Sequence, residues 1–213
     1  MKLRRYRQLT DALAGMTCRN LVEVGTWNGL RAIELANAAL RRNGAVTYHG
    51  FDLFEELTDE QLEAELSKRP PPRAEVEDRL RAFQDKVARR GRLLPSRRRS
   101  FEFQLHPGDT RETLRAFRER SAGFEADFVF IDGGHKIETI ENDWEHTHPL
   151  LSRRGAVFLD DYYGNEELAK EFGCNSLLER LRGDASWQVE LLPERDEIPE
   201  IGPIQIARVT PSP

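Results

Sequence analysis

Residues 126–163 read ADFVFIDGGHKIETIENDWEHTHPLLSRRGAVFLDDYY. Two apolar runs, 128–131 and 156–159, flank a segment whose apolar residues have helical spacing, which predicts a strand–helix–strand unit. Asp132 follows the first run, and Asp160 and Asp161 follow the second. Parallel strands joined in this way end at the same edge of a sheet, and open α/β sheets bind ligands at that edge. The three acids repel one another unless a cation or a proton compensates them, which points to a metal-assisted active site.

The alternation of strand and helix signals continues on both sides of this unit. Strands are predicted at 20–24, 46–51, 101–105, 128–131 and 156–159, and helices at 30–42, 110–120, 137–151 and 166–182. The series predicts an α/β fold, a Rossmann-like, doubly wound and mostly parallel sheet. Residues 187–191 and 204–209 are expected to add an antiparallel C-terminal strand pair. The length favours a single domain over 1–213.

Residues 53–100 interrupt the alternation after the second strand. Thr58 with Gln61 three residues later is a helix-start signature, and the KRPPP run at 68–72 ends the helix. A second charged helix is predicted from 74 to about 90. We interpret 53–100 as a helical insert or lid within the domain, near the site.

Composition limits the classes of partner. With 37 acidic and 32 basic residues the formal charge is −5, which does not provide the basic field of most nucleic-acid binders and favours a small-molecule substrate. No run approaches the roughly 18 apolar residues of a membrane span. Cys18 and Cys174 lack metal-site spacing and are expected to be free thiols in a reducing cytoplasm. A homodimer through the insert or the terminal strands is a further expectation.

A second motif, VEVGTWNG at 22–29, lies at the first strand-to-helix turn. Gly25 and Gly29 allow a tight turn and close approach of a ligand to the backbone, so a nucleotide-like cofactor is expected across it. The spacing matches neither the dinucleotide fingerprint nor the phosphate loop. Asp52, at the end of the second strand, is placed to accept hydrogen bonds from ribose hydroxyls. A simple turn remains the alternative for the glycines alone.

These motifs together resemble a known family. E-x-G-x-x-x-G from Glu23, the acid Asp52, GDT at 108–110, DGGH at 132–135 and DD at 160–161 are similar to class I S-adenosylmethionine-dependent methyltransferases. Within that superfamily the resemblance is to the metal-dependent O-methyltransferases, the group of catechol and of macrolide-sugar and aminocoumarin-sugar O-methyltransferases. It covers roughly 20–165, although the N-terminal region of several sugar-modifying relatives is longer than here.

The resemblance implies a role for each matching residue. S-adenosylmethionine would be held by Glu23, Gly25, Thr26, Trp27, Asn28 and Gly29 at the methionine part, by Asp52 at the ribose, by Asp109 and Thr110 near the adenine, and by Asp132. A divalent ion would be bound by Asp132, Asp160 and Asp161, with His135 and Asp132 as catalytic residues. Oxygen ligands favour a hard cation such as Mg²⁺. The ion would acidify a substrate hydroxyl and His135 would accept its proton.

The expected substrate is a sugar, a nucleotide sugar or another polyhydroxylated small molecule. Two alternatives stay open: a metal-dependent hydrolase that uses the three acids, and a cofactor-binding protein without a catalytic role. The acids could also be solvated residues or helix caps. The arginine-rich run at 89–99 is a solvated loop or, alternatively, a site for a phosphate on the substrate.

Overall fold

Seven strands form one sheet in the computed structural model, which describes residues 4–65, 68–93 and 99–213. The strands are β1 (Asn20–Val24), β2 (Ala45–Asp52), β3 (Ser100–Pro107), β4 (Ala126–Ile131), β5 (Leu151–Tyr163), β6 (Trp187–Ile198) and β7 (Gly202–Pro211). The helices are α1 (Arg7–Gly15), α2 (Leu30–Ala39), α3 (Asp59–Ala64), α4 (Arg73–Leu93), α5 (Thr110–Arg120), α6 (Ile137–Thr147) and α7 (Asn175–Arg182). Short 3₁₀ turns lie at 54–56, 148–150 and 168–170.

The strand order is β3-β2-β1-β4-β5-β7-β6. Strands β1 to β5 pair in parallel, and β7 is antiparallel to both β5 and β6. The chain therefore changes direction across the sheet between β1 and β4. The carboxyl ends of these two strands form the topological switch point, where α/β sheets of this type bind ligands.

Helices cover both faces of the sheet. On one face α1, α2 and α4 pack against Tyr48, Phe128, Phe130 and Phe158. On the other face α5, α6 and α7 pack against the side chains that alternate with these along the strands, among them Val129 and Ile131. Because the central strands are buried on both faces, they read in sequence as continuous apolar runs.

The predicted fold class is confirmed, including the antiparallel pair at the C-terminus. The helix predicted at 166–182 is wrong, because only 175–182 is α-helical. Gly173 breaks it: its φ of +87° and its N–H bond to the His135 carbonyl (2.8 Å) direct the chain back toward β4.

The insert contributes both to the core and to the site. Thr58 and Gln61 form the predicted capping box of α3. Val76 and Leu80 of α4 are fully buried in the same core as α2. Ser67, at the predicted end of the first helix of the insert, lies outside the described residues, as do Arg97 and Arg98 of the arginine-rich run. Whether the insert acts as a lid stays a prediction.

Three further expectations concern a membrane span, the cysteines and the apolar face of α6. None of the helices in the described part of the chain is long and apolar enough to cross a membrane. Cys18 and Cys174, both within the described ranges, are buried free thiols. The apolar stripe of α6 lies in the core, with Trp144 1% exposed.

A histidine pair from β2 and β3 is buried under α5. His49 Nδ1 lies 3.1 Å from His106 Nε2, and the rings of Phe51 and Phe117 pack against the pair. One ring nitrogen must donate and the other accept, so the accepting ring at least must be neutral. Burial lowers the pKa of both imidazoles from the ordinary 6.5 to about 4.

We expect this pair to destabilise the protein in mild acid. The unfolded chain binds protons at these residues near pH 6.5, whereas the folded chain binds them near pH 4, so their contribution is complete above pH 6.5 and is lost as the pH falls toward 4. Because the rings retain some solvent access, we expect a loss of about 2–3 kcal/mol for the pair between pH 7 and 4.5. Urea unfolding at several pH values should show a shallower pH dependence for His49→Phe/His106→Phe than for the wild type. An identical dependence would contradict the prediction.

Candidate functional site

The turn after β1 has a geometry that requires glycine. Gly25 has a φ of +90°, and a Cβ atom there would lie 1.9 Å from the Asp132 carbonyl oxygen. The Gly25 N–H donates to the Phe51 carbonyl and the Asp132 N–H donates to the Val24 carbonyl, both at 2.8 Å. The turn is thus held between β2 and β4 while its upper surface stays open to a ligand.

Asp52 braces this turn from the end of β2. Its Oδ2 accepts a hydrogen bond from the Trp27 N–H at 2.6 Å, and its Oδ1 accepts one from the Phe54 N–H at 2.9 Å. Burial raises the pKa of Asp52 above its ordinary value, although these amides oppose the shift. Each oxygen keeps a second lone pair for a further hydrogen bond, and the ribose-binding role of Asp52 stays a prediction.

Glu23 lies one layer behind the turn. Its Oε2 accepts from the Tyr48 hydroxyl, which is 3.2 Å from the Thr26 hydroxyl, and the residue is 1% exposed. Its Oε1 has no hydrogen-bond partner among the described residues, and burial raises the pKa of Glu23 to about 8. Glu23 therefore supports Thr26 through Tyr48 and places an unsatisfied carboxylate oxygen beneath the predicted methionine site.

A cavity of about 750 Å³ opens above this turn. Its walls include Gly25, Thr26, Trp27, Asn28, Asp52, Asp109, Thr110, Asp132, His135 and Asp161, together with 57, 61, 64, 65, 68 and 70 of the insert. The volume falls within the range of small-ligand and cofactor sites. Arg31 lines the same cavity, and its buried Nε has no hydrogen-bond partner among the described residues. The Nη1 of Arg31 is paired with Glu34, so Nε is the donor that suits the carboxylate of the predicted methionine part.

The adenine end of the predicted site is built from α5 and α6. Asp109 caps α5 by accepting the Arg111 N–H at 2.9 Å, and Gly108 has a φ of +117°. Asp143 of α6 lies against this region with no exposed surface, and burial raises its pKa to about 7. The sequence analysis missed Asp143, because its position within a helical stripe resembles that of a core residue.

A β-bulge brings the two consecutive acids of β5 to one edge. The register of β5 against β7 shifts between Leu159 and Tyr162, and Asp161 has a φ of +63°. Successive side chains of a regular strand point to opposite faces, and the bulge changes that alternation. Asp160 and Asp161 are 2% and 5% exposed respectively, yet they have different partners.

Asp132, Asp161 and His135 form a compact cluster. Each offers a ligand atom, and the three atoms lie within 4.8 Å of one another. Burial, with the neighbouring Asp160 and Asp161, raises the pKa of Asp132 well above its ordinary value, and burial raises that of Asp161 to about 6. Carboxylates whose charge is so unfavourable without a partner are suited to a divalent cation.

Asp160 is instead paired with the N-terminal segment. Its two oxygens accept from Arg5 Nε and Nη2, each at 2.8 Å, and Oδ2 also accepts from the Tyr6 hydroxyl at 2.6 Å. Burial alone would raise the pKa of Asp160, but the Arg5 guanidinium holds it below the ordinary value. Asp160 thus differs from the other two predicted metal ligands.

The insert fixes the orientation of His135. Its Nδ1 contacts the backbone carbonyl of Glu65, which can only accept, so Nδ1 carries the hydrogen and donates. In the neutral imidazole, Nε2, 3.4 Å from Asp161 Oδ2, then carries a lone pair that faces the acidic cluster. Burial lowers the pKa of His135, but Asp161 and the Glu65 carbonyl raise it by a larger amount, so the net shift is upward.

Residues 171–174 hold the same loop from the other side. The Gly173 N–H donates to the His135 carbonyl at 2.8 Å, and the Cys174 N–H donates to the Asp161 carbonyl at 3.0 Å. A Cβ atom at Gly173 would lie 2.4 Å from the Asp161 carbonyl oxygen. His135 and Asp161 are therefore positioned by one short segment that the sequence analysis had assigned to a helix.

Comparison with known families identifies this arrangement. A family model described as "Methyltransferase domain" matches residues 22–162, more than half of the chain and the span from within β1 to the bulge of β5. The chain belongs to this methyltransferase family. The resemblance to class I S-adenosylmethionine-dependent methyltransferases is thereby confirmed. No protein of curated function matches the methyltransferase in sequence.

Solved structures of low sequence identity share the fold. The O-methyltransferase TomG from Streptomyces achromogenes, involved in tomaymycin synthesis and solved with S-adenosylmethionine, is 14% identical, with a TM-score of 0.60 and coverage of 100% of this chain and 82% of the other. A putative rRNA methylase from Clostridium thermocellum is 15% identical, with a TM-score of 0.61 and coverage of 100% and 99%. A TDP-rhamnose 3'-O-methyltransferase of calicheamicin biosynthesis is 19% identical, with a TM-score of 0.58 and coverage of 95% and 76%.

Proposed function

We propose that this methyltransferase transfers the methyl group of S-adenosylmethionine to a hydroxyl oxygen of a polyhydroxylated small molecule, with assistance from a divalent cation. The observation that carries the proposal is that the cofactor turn and the acidic cluster adjoin at Asp132. Asp132 follows β4 beside the cofactor turn, and its carboxylate belongs to the cluster with Asp161 and His135. A methyl donor at the turn and a hydroxyl at the cluster would therefore meet.

The residues of the site fit both S-adenosylmethionine and a divalent cation. Gly25 leaves room that a Cβ atom would remove, and Arg31 Nε has no hydrogen-bond partner among the described residues. The cation would be held by carboxylates of the acidic cluster, in accordance with the preference of Mg²⁺ for a few protein oxygens and open positions for other ligands. When bound, the cofactor supplies the electrophilic methyl group and the cation acidifies the hydroxyl that coordinates it.

The side chains of the chain itself position and deprotonate the substrate. Because Nδ1–H of His135 donates to the Glu65 carbonyl, the neutral imidazole keeps an Nε2 lone pair toward the cluster, and this nitrogen would accept the hydroxyl proton. Leu57, Gln61 and Pro70 of the insert line the cavity and would shield a bound substrate from water. We assign His135 to proton transfer because a hard cation prefers oxygen ligands.

The cavity walls beyond the acidic cluster indicate the chemical character of the rest of the substrate. Leu168, Ile198, Ile201 and Ile204 line the cavity on the side of the β6–β7 turn. An apolar wall of this kind suits a diol attached to an apolar body, as in a catechol or a glycoside. A phosphate-bearing substrate is a further proposal, for which the cationic Lys68, Arg111 and Lys136 of the cavity wall are available.

Removal of the cation should sharply lower methyl transfer but leave cofactor binding nearly unchanged. Methyl transfer from labelled S-adenosylmethionine would be screened on catechols, glycosides and nucleotide sugars with Mg²⁺ present. We expect EDTA to lower turnover of the best acceptor by about 100-fold or more, because the hydroxyl is then no longer acidified. The affinity for S-adenosylhomocysteine should change by less than about 3-fold, since the turn binds the cofactor without the cation.

Added Mg²⁺ in excess over EDTA is the control and should restore turnover. Undiminished transfer in EDTA would refute the role of the cation while leaving methyl transfer intact. Absence of S-adenosylhomocysteine binding would refute the proposed cofactor and would revive the hydrolase alternative.

A further inference from the structure

We propose that Arg5 is a positioning residue that withholds Asp160 from the cation, so that Asp132 and Asp161 are the two carboxylate ligands. This inference rests on the metal assistance proposed above. Of the three acids at the ends of β4 and β5, two would bind the cation and one would bind Arg5. The N-terminal segment that precedes α1 thereby has a function in the site.

The contacts of Asp160 leave little capacity for a metal ion. Arg5 grips both of its oxygens in a bidentate pair at 2.8 Å, and the Tyr6 hydroxyl adds a third hydrogen bond at 2.6 Å. A guanidinium matches the geometry of a carboxylate in this arrangement and stays charged at all relevant pH values. A cation that entered beside Asp160 would have to displace a fixed positive charge.

Arg5 is itself held in place from a third element. Its Nη1 donates to Asp196 Oδ2 of β6 at 3.1 Å, and the backbone N–H groups of Arg4 and Arg5 donate to the two Asp196 oxygens at 2.8 and 3.2 Å. Arg5 is 4% exposed. Because a buried guanidinium keeps its partners, this network belongs to the folded core of the site and is not a mobile surface contact.

Tyr6 connects the network to the cluster. The guanidinium groups of Arg5 and Arg31 lie over its ring, 4.3 and 4.0 Å from the ring centroid, and its hydroxyl is 3.2 Å from Asp132 Oδ2. Arg5 thus neutralises one carboxylate and fixes the ring beside another. Asp132 and Asp161 remain, which agrees with the one or two carboxylates that usually hold Mg²⁺.

Manganese binding tests this assignment without a measurement of activity. Mn²⁺ would be titrated by electron paramagnetic resonance into the full chain with S-adenosylhomocysteine present. We expect Arg5→Met/Asp160→Leu, which removes the pair as a unit and leaves no oxygen ligand at residue 160, to keep the Mn²⁺ dissociation constant within about 3-fold of the wild type. Asp161→Leu, which removes a ligand, should weaken it by at least about 30-fold. Circular dichroism and S-adenosylhomocysteine binding establish that each variant is folded.

Equal weakening in both variants, or a wild type that binds no Mn²⁺, would overturn the inference. If the double variant does not fold, a crystal structure of the wild type with Mn²⁺ gives the answer by anomalous scattering: Asp132 and Asp161 at bonding distance with Asp160 still on Arg5 supports the assignment, and Asp160 bonded to Mn²⁺ overturns it. Metal-dependent transfer with Asp160 as a ligand refutes this inference alone. Transfer that is insensitive to EDTA refutes the proposed metal assistance.

Discussion

Gly25→Ala should reduce the affinity for S-adenosylhomocysteine by about 100-fold or more, equivalent to roughly 2.7 kcal/mol. The added Cβ would meet the Asp132 carbonyl oxygen at 1.9 Å, a backbone atom at the meeting point of β1 and β4. Relief of this contact requires the turn and the end of β4 to move apart, which changes both the cofactor surface and the position of the Asp132 carboxylate. Isothermal titration calorimetry with S-adenosylhomocysteine measures the effect.

Gly123→Ala is the matched control. Gly123 has a φ of +86°, close to that of Gly25, but a Cβ there would meet no heavy atom of the described residues within 4 Å. Both variants therefore carry the same kind of conformational cost, about 1–2 kcal/mol of stability, and only Gly25→Ala adds the steric contact. Unchanged affinity in Gly25→Ala, or equal losses in the two variants, would contradict the role given to this turn.

Much of the fold was predictable because it depends on local patterns. The apolar runs that end in Asp52, Asp132 and Asp160 are strands buried on both faces, and parallel strands bring their ends to one edge. Gly25 and Gly29 were singled out for a tight turn, and both have positive φ values. Thr58 formed the predicted cap because a capping box involves only a few consecutive residues.

The parts that were missed depend on contacts distant in sequence. Arg5 meets Asp196, 191 residues away, and no local pattern marks either residue as a member of the site. Glu65 reaches His135 across 70 residues. The helix predicted through 166–182 failed for the same reason, since Gly173 forms its hydrogen bond with the His135 loop and not with its own helix.

His135→Gln should lower kcat by a factor on the order of 10² to 10⁴ while cation and cofactor affinity stay within about 3-fold. Glutamine retains a donor for the Glu65 carbonyl, so the loop between β4 and α6 keeps its hydrogen bond, but it has no basic nitrogen to accept a proton from a hydroxyl. The fall in kcat would be measured with the best acceptor from the screen at saturating Mg²⁺. Mn²⁺ and S-adenosylhomocysteine titrations report the two affinities.

His146→Gln, which alters another histidine of the same loop-and-helix unit but lies outside the cavity wall, should leave kcat unchanged. Mn²⁺ affinity and kcat, measured together, separate the two roles that the cluster geometry allows for His135. If His135 is a ligand, His135→Gln should lower both Mn²⁺ affinity and kcat, because one of the three atoms within 4.8 Å is removed. If His135 is a base, the variant should lower kcat alone, since Asp132 and Asp161 still hold the cation. Unchanged kcat would exclude both roles and leave His135 as a support for the insert through Glu65.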